Sequence, residues 1–172
     1  MDSFCEYLVK MRHTLKSYLA LTLIWLTAFA LIFIVVLMTL KNPSMMGIVV
    51  IAVAGIFYGA VKLAQRFDIE YEMIAVNKDL DIDKIIAKSS RKRMITVHLD
   101  KVEEYGKYTP ENTAALNNMN FNFKIKCANA DDEAEYIVYR HPKKGLSLVI
   151  FAVNEELSTE LKKYIPKTLI RK

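Results

Sequence analysis

Two uncharged apolar stretches dominate the first third of the chain. Residues 18–40 contain no charged side chain, and neither do residues 43–61. A helix over residues 18–40 would be about 35 Å long, enough to cross a hydrocarbon core of about 30 Å. The pattern predicts transmembrane helix 1 over residues 18–40 and transmembrane helix 2, with its juxtamembrane end, over residues 43–65. The Asn42-Pro43 step favours a turn between them, so the two helices form an antiparallel hairpin.

Two alternatives, a signal peptide and the core helices of a soluble protein, fit the apolar stretches less well than transmembrane helices do. A signal peptide would be cleaved near Ala28-Phe29-Ala30, but the apolar run continues to Leu40, which is too long for a signal-peptide core. Core helices of a soluble protein do not need charge-free runs of this length.

The distribution of basic residues predicts the orientation. Three basic residues precede the first apolar stretch, one (Lys41) lies between the stretches, and eight lie in residues 62–93. Because basic flanks stay in the cytoplasm, we expect a multi-pass protein of the plasma membrane with both termini cytoplasmic. The reducing cytoplasm suits Cys5 and Cys127 as free thiols.

The N-terminal segment has a helical apolar pattern. Phe4, Leu8, Met11 and Leu15 recur at spacings of three and four. This predicts an amphipathic interfacial helix over residues 1–17. An extension of the first span that packs on the following domain remains the alternative.

The second apolar stretch contains two glycines at a spacing that is typical of close helix packing. Gly55 and Gly59 are four residues apart, and small residues at this spacing let two helix backbones approach. The motif fits a homo-oligomer or a partner's helices. Because the motif is common, packing on the first helix of the same hairpin is the better interpretation.

The composition changes to that of a soluble domain over residues 66–172. Residues 69–76 alternate between apolar and polar, Leu80 and Ile82 mark a second strand, and the pattern continues in short strands to residue 151. Asn154 then caps a final amphipathic helix that ends before Pro166. The order predicts an α+β cytoplasmic domain, an antiparallel sheet followed by a C-terminal helix.

That order of elements resembles a pleckstrin-homology-like (PH-like) domain. Residues 67–97, FDIEYEMIAVNKDLDIDKIIAKSSRKRMITV, are similar to the start of bacterial PH-like domains attached to paired membrane helices. Together with the apolar stretches, the resemblance covers nearly the whole chain, to a bacterial membrane-protein family with two transmembrane helices and a PH-like domain. It implies a bent antiparallel barrel plugged by the C-terminal helix.

The sequence contains no recognisable catalytic or metal-binding motif. His13, His98 and His141 lack the spacing of zinc ligands, and no phosphate-binding or nucleophile motif occurs. The alternating Asp79, Asp81 and Asp83 lack the glycine and glutamate of a calcium loop, so a solvated strand face is the better interpretation. We therefore expect no enzyme, no cofactor and no metal.

One basic run indicates a binding surface. Lys88, Arg91, Lys92 and Arg93 lie in the turn between the second and third predicted strands, a Lys and an Arg-x-Arg similar in type to the headgroup-binding residues of lipid-binding pleckstrin-homology domains. About seven residues separate Val61 from the first strand, which limits the reach to about 25 Å. Anionic headgroups would attract such a run, although basic runs are often solvated faces.

Two function classes remain. The first is a non-enzymatic membrane protein that presents a protein- or lipid-binding module at the cytoplasmic membrane face. The second is a small accessory subunit of a larger membrane complex, which contacts an unknown protein partner through Gly55 and Gly59. An enzyme with an unrecognised site ranks third. The net charge of +5 does not indicate nucleic acid, because the basic residues are not interleaved with aromatic side chains.

Overall fold

The structure is a computed structural model that describes residues 4–41, 44 and 46–171. The predicted turn at Asn42 and Pro43 lies outside these residues. The chain divides into two compact units, one of residues 12–69 with 86–89, and one of residues 1–11, 70–85 and 90–172. Each unit is described by itself.

The first unit contains two long helices, α1 (Leu15–Lys41) and α2 (Met46–Gln65). Both are long and apolar enough to cross a membrane, and only 6% of each apolar window is buried. Ala28 and Ala60 are buried where the helices meet. The ring of Trp25 lies 5.8 Å from the ring of Phe57.

The predicted N-terminal amphipathic helix over residues 1–17 is wrong where the structure describes it. Phe4–Lys10 form a strand, β1, and residue 15 begins α1. All seven residues of β1 pair antiparallel with β2 (Ile69–Val76). Pairing with β2 provides the backbone hydrogen bonds of this segment. A short lone helix would first have to form a nucleus, which is unfavourable. The pairing also buries Cys5 and Val9 in the core.

The strands of the second unit form two hydrogen-bonded sheets. With β3 (Asp79–Ile86) and β4 (Ser90–His98), the first sheet has the order β1-β2-β3-β4, so the predicted meander is present. The second sheet consists of β5 (Val102–Lys107), β6 (Phe123–Cys127), β7 (Ala134–His141), β8 (Gly145–Ala152) and β9 (Ile170–Arg171). Their order is β6-β8-β7-β5-β9. The sheets are open, so the expected barrel shape is not confirmed.

Two helices cover the sheets. The short helix α3 (Pro110–Asn117) starts with proline after a Thr109 cap and buries Leu116 in a smaller apolar cluster. The predicted C-terminal helix is α4 (Glu155–Tyr164), and the Asn154 side chain accepts a hydrogen bond from the Leu157 amide at 2.8 Å. Leu157 and Leu161 are fully buried in the main core, which residues from both sheets line.

Candidate functional site

The predicted basic run lies in the turn from β3 to β4 and along the start of β4. Ala87 and Lys88 both have a φ of 54°, a left-handed conformation that tightens the turn. Lys92 is exposed on β4. The structure therefore leaves Lys92 accessible to a ligand.

The two predicted arginine contacts already have acidic partners. Arg91 donates to the buried carboxylate of Glu72 at 2.8 Å. Arg93 donates to Asp83 at 2.7 Å and to Asp81 at 2.5 Å. The hydrogen bond to Asp83 raises the pKa of Arg93. These guanidinium groups hold the hairpin together, and their charge is largely neutralised for a ligand.

The aspartates of β3 all lie within hydrogen-bonding distance of a side chain on β4 and are only partly solvated. Asp83 is 2% exposed. Asp81 accepts a hydrogen bond from Thr96, and Asp79 lies 2.5 Å from His98. Among the described residues, no group of three or more His, Cys, Asp or Glu could hold a metal ion. The interpretation of β3 as a solvated face is therefore wrong for Asp83, because Arg93 compensates its burial.

A second basic turn lies beside the start of β4. The Lys144 ammonium group donates to the backbone carbonyl of Met94 and lies 4.0 Å from the centre of the Phe123 ring. Burial, and then the charge of Lys92, lower the pKa of Lys144. Lys143 is exposed beside it in the turn between β7 and β8. Lys144 therefore contacts β4 two residues after Lys92, and Lys92, Lys143 and Lys144 are together called the lysine surface below.

The turn that carries Lys143 and Lys144 is fixed by a histidine. The His141 Nδ1 atom accepts hydrogen bonds from the backbone amides of Lys143 at 3.0 Å and Lys144 at 3.2 Å. Burial, and then the charge of Lys144, lower the pKa of His141. Gly145 follows with a φ of 69°. The neutral imidazole therefore shapes the turn that presents the lysines.

A buried polar cluster joins α4 to the second sheet. The Glu135 carboxylate, 4% exposed, accepts hydrogen bonds from Tyr105, from Ser158 at 2.8 Å and from Lys162 at 3.1 Å. Burial, and then the charge of Glu135, raise the pKa of Tyr105. A cavity of about 190 Å³ opens beside the cluster, lined also by Lys107 and Arg171. Since three donors already satisfy Glu135, the cluster stabilises the position of α4.

The two glycines of α2 lie at an open part of the helix. A Cβ atom at Gly55 or Gly59 would have nothing within 4 Å. Gly59 lines an apolar cavity of about 360 Å³ between α1 and α2. Close packing within the hairpin therefore relies on Ala28 and Ala60.

Comparison with known proteins identifies the family. The family model described as "Bacterial PH-like domain (DUF6106)" matches residues 1–171. No curated protein and no solved structure shows significant similarity to the chain. The match includes the N-terminal strand and both apolar helices as well as the β-rich domain. The chain belongs to this family of bacterial PH-like domains.

Proposed function

We propose that this protein is a membrane-anchored, non-enzymatic binding module whose lysine surface contacts the anionic headgroups of membrane lipids. The observation that carries the proposal is the contact of the Lys144 ammonium group with the Met94 carbonyl, which brings the turn of Lys143 and Lys144 against the strand that carries Lys92. Two exposed lysines (Lys92 and Lys143) at its rim are accessible to phosphate groups.

The buried polar cluster does not favour an enzyme over a binding module. Ser158 and Lys162, whose side chains lie 2.5 Å apart, resemble a nucleophile and a base in type only. Both also donate to Glu135. Satisfying the buried carboxylate of Glu135 is a sufficient reason for both side chains to lie there.

Two arguments support anchoring at the cytoplasmic face of the plasma membrane. The basic flanks of both apolar helices favour the cytoplasm. In addition, β1 precedes α1 and pairs along its whole length with β2, which follows α2. Because one sheet lies on one side of a bilayer, the chain must cross the membrane an even number of times between these strands. Both termini would therefore be cytoplasmic.

Lysine labelling of the full-length protein tests the lipid contact. The protein is placed in nanodiscs of neutral lipid or of lipid rich in phosphatidylglycerol, acetylated briefly, and analysed by mass spectrometry. We expect slower acetylation of Lys92 and Lys143 in the anionic discs, while the exposed Lys101 serves as the control. High salt should remove the protection, because it screens charge.

Two outcomes would contradict the lipid contact. Equal labelling of Lys92 and Lys143 in both kinds of disc would show that the surface does not touch headgroups. Protection by inorganic phosphate in neutral discs, with none from anionic lipid, would identify a soluble phosphate compound as the ligand instead.

The second candidate function is an accessory subunit of a larger membrane complex. The open space next to Gly55 and Gly59 favours it, since a partner's helix could approach the backbone there. Replacing both glycines with Ile should release a co-purifying membrane protein while the β-rich domain stays folded. An unchanged set of co-purifying proteins would exclude this face as the contact.

A further inference from the structure

A cavity of about 290 Å³ opens between α3 and the second sheet. Leu116 of α3 and the β8 residues Leu148 and Ile150 line it, and all three belong to the smaller apolar cluster. Lys124 and Lys126 of β6 line it too, and no acidic residue does. The cavity therefore combines apolar side chains with two positive charges. It is called the α3 cavity below.

The polar side chains of the α3 cavity have few partners within the protein. Among the described residues, four of them form no hydrogen bond or ion pair, namely Tyr108, Asn117, Lys124 and Lys126. The Lys126 ammonium group lies 5.5 Å from the centre of the Tyr108 ring, and that of Lys124 lies 5.3 Å from the centre of the Phe121 ring. A ring face attracts a cation but does not neutralise its charge. Two ammonium groups, an amide and a hydroxyl are therefore available to a ligand.

The cavity beside Glu135 does not offer this combination. Two of its cations already have carboxylate partners, since Lys162 lies 3.1 Å from Glu135 and Arg171 lies 3.0 Å from Glu104. A negatively charged ligand is therefore attracted more strongly to the α3 cavity.

We propose that the α3 cavity binds a small soluble monocarboxylate with an apolar body. Lys124 and Lys126 attract the carboxylate, and the Asn117 amide supplies a neutral donor. The apolar body packs against Leu148 and Ile150. This site shares no residue with the lysine surface and does not depend on the proposed lipid contact.

The size of the cavity and the charges around it select this class of ligand. About 290 Å³ is the space of roughly ten water molecules at about 30 Å³ each, which is too small for a whole phospholipid. Burying charge next to apolar side chains is costly, so a single negative charge fits better than the two of a phosphate. Asp132 lines a neighbouring cavity that shares Lys126, and its charge would repel a second negative group there.

Methyl NMR of the full-length protein in nanodiscs of neutral lipid tests the site. The probes are para-trifluoromethylbenzoate and hexanoate, and empty discs measure how much of each probe enters the bilayer. We expect both carboxylates to shift the Ile150 methyl signals saturably and to leave those of Ile165, in the main core, unchanged. The neutral para-trifluoromethylbenzamide should bind about tenfold more weakly, because it lacks the charge that strengthens hydrogen bonds to ammonium groups.

Matched lysine variants locate the carboxylate. Lys126→Gln should raise the dissociation constant of the benzoate about tenfold, because it removes a charged donor. Lys101→Gln makes the same change at an exposed lysine outside the cavity, and Lys143→Gln makes it on the lysine surface. Neither control should change the constant by more than about twofold. Because Lys126 is exposed, its variant should melt as the native protein does.

Several results would overturn the proposal. If neither carboxylate shifts the Ile150 signals saturably, the cavity does not bind this class. Equal affinity for the benzamide would show apolar binding without recognition of charge. Weakening by Lys143→Gln and not by Lys126→Gln would place the carboxylate on the lysine surface. Tighter binding of phenyl phosphate than of the benzoate would make a phosphate compound the ligand.

Discussion

Replacing Val9 with Ala measures how much the β-rich domain depends on its N-terminal strand. Val9 is 6% exposed and packs in the main core. The change removes two methyl groups, each worth about 0.8 kcal/mol of transfer free energy, and leaves a small cavity. The expected loss is about 2 kcal/mol in the free energy of unfolding.

Hydrogen exchange of the full-length protein in neutral detergent is a suitable assay. The slowest amides of β2 to β4 exchange through opening of the whole domain. A loss of about 2 kcal/mol should accelerate their exchange roughly 30-fold. Val76→Ala makes the same chemical change at an exposed position of the adjacent strand, and should change the exchange rate by about twofold at most.

The comparison separates a strand from the helix that the apolar spacing predicts. In that helix Phe4, Leu8, Met11 and Leu15 would form the buried face, and Val9 would lie outside it. Equal effects of the two Val→Ala changes would refute the placement of β1 in the sheet. They would also remove the argument from β1 that both termini lie on one side of the membrane.

Three further predictions concern the second sheet. Glu135→Ala removes the acceptor of the buried Tyr105 hydroxyl and of the partly buried Ser158 and Lys162 side chains. It should cost about 2–4 kcal/mol, at the lower end of the range because Lys162 can turn to water; denaturant unfolding measures it. Gly145→Ala should cost about 2 kcal/mol by the same measurement, because φ is 69° and a Cβ atom would lie 2.8 Å from the Asn122 side chain. The folded state lowers the pKa of His141. The contribution of the neutral imidazole to folding stability is therefore complete above the ordinary pKa of 6.5, and it is lost as the pH falls through the pKa of the folded state. His141→Asn, which keeps an acceptor, should flatten the pH dependence of the melting temperature below pH 6.5, and an unchanged dependence would show that another group titrates.

Elements specified by local chemistry are predictable from the sequence. The capping residue Asn154, the glutamates that follow it and the spacing of Leu157 and Leu161 predict α4 without knowledge of the rest of the chain. The alternation of residues 69–76 and the polar turn at Asn77 predict the β2–β3 hairpin in the same way. In each case neighbouring residues determine the conformation.

Features that depend on distant pairing do not follow from the local pattern. The sequence of β1 fits both an alternating and a helical apolar pattern, and only pairing with β2 beyond the two long helices decides between them. Lys144 lies fifty residues from Met94, whose carbonyl it contacts. The ion pairs of Arg93, in contrast, could be predicted from the sequence. Asp81 and Asp83 alternate on the strand beside Arg93, and side chains of antiparallel neighbours pair across strands.

The ion pairs of the two arginines limit how strongly the lysine surface can attract an anionic membrane. Because Arg91 and Arg93 are held by carboxylates, the proposed attraction to anionic lipid would rest mainly on Lys92 and Lys143. At about 1 kcal/mol per residue near the surface, two lysines give about 2 kcal/mol, roughly a 30-fold preference. That is too weak to recruit a free domain from solution. It would be sufficient to orient the domain if the two apolar helices anchor it at the bilayer, since tethering replaces the cost of association with a high local concentration. The proposed lipid contact therefore depends on the proposed membrane anchor.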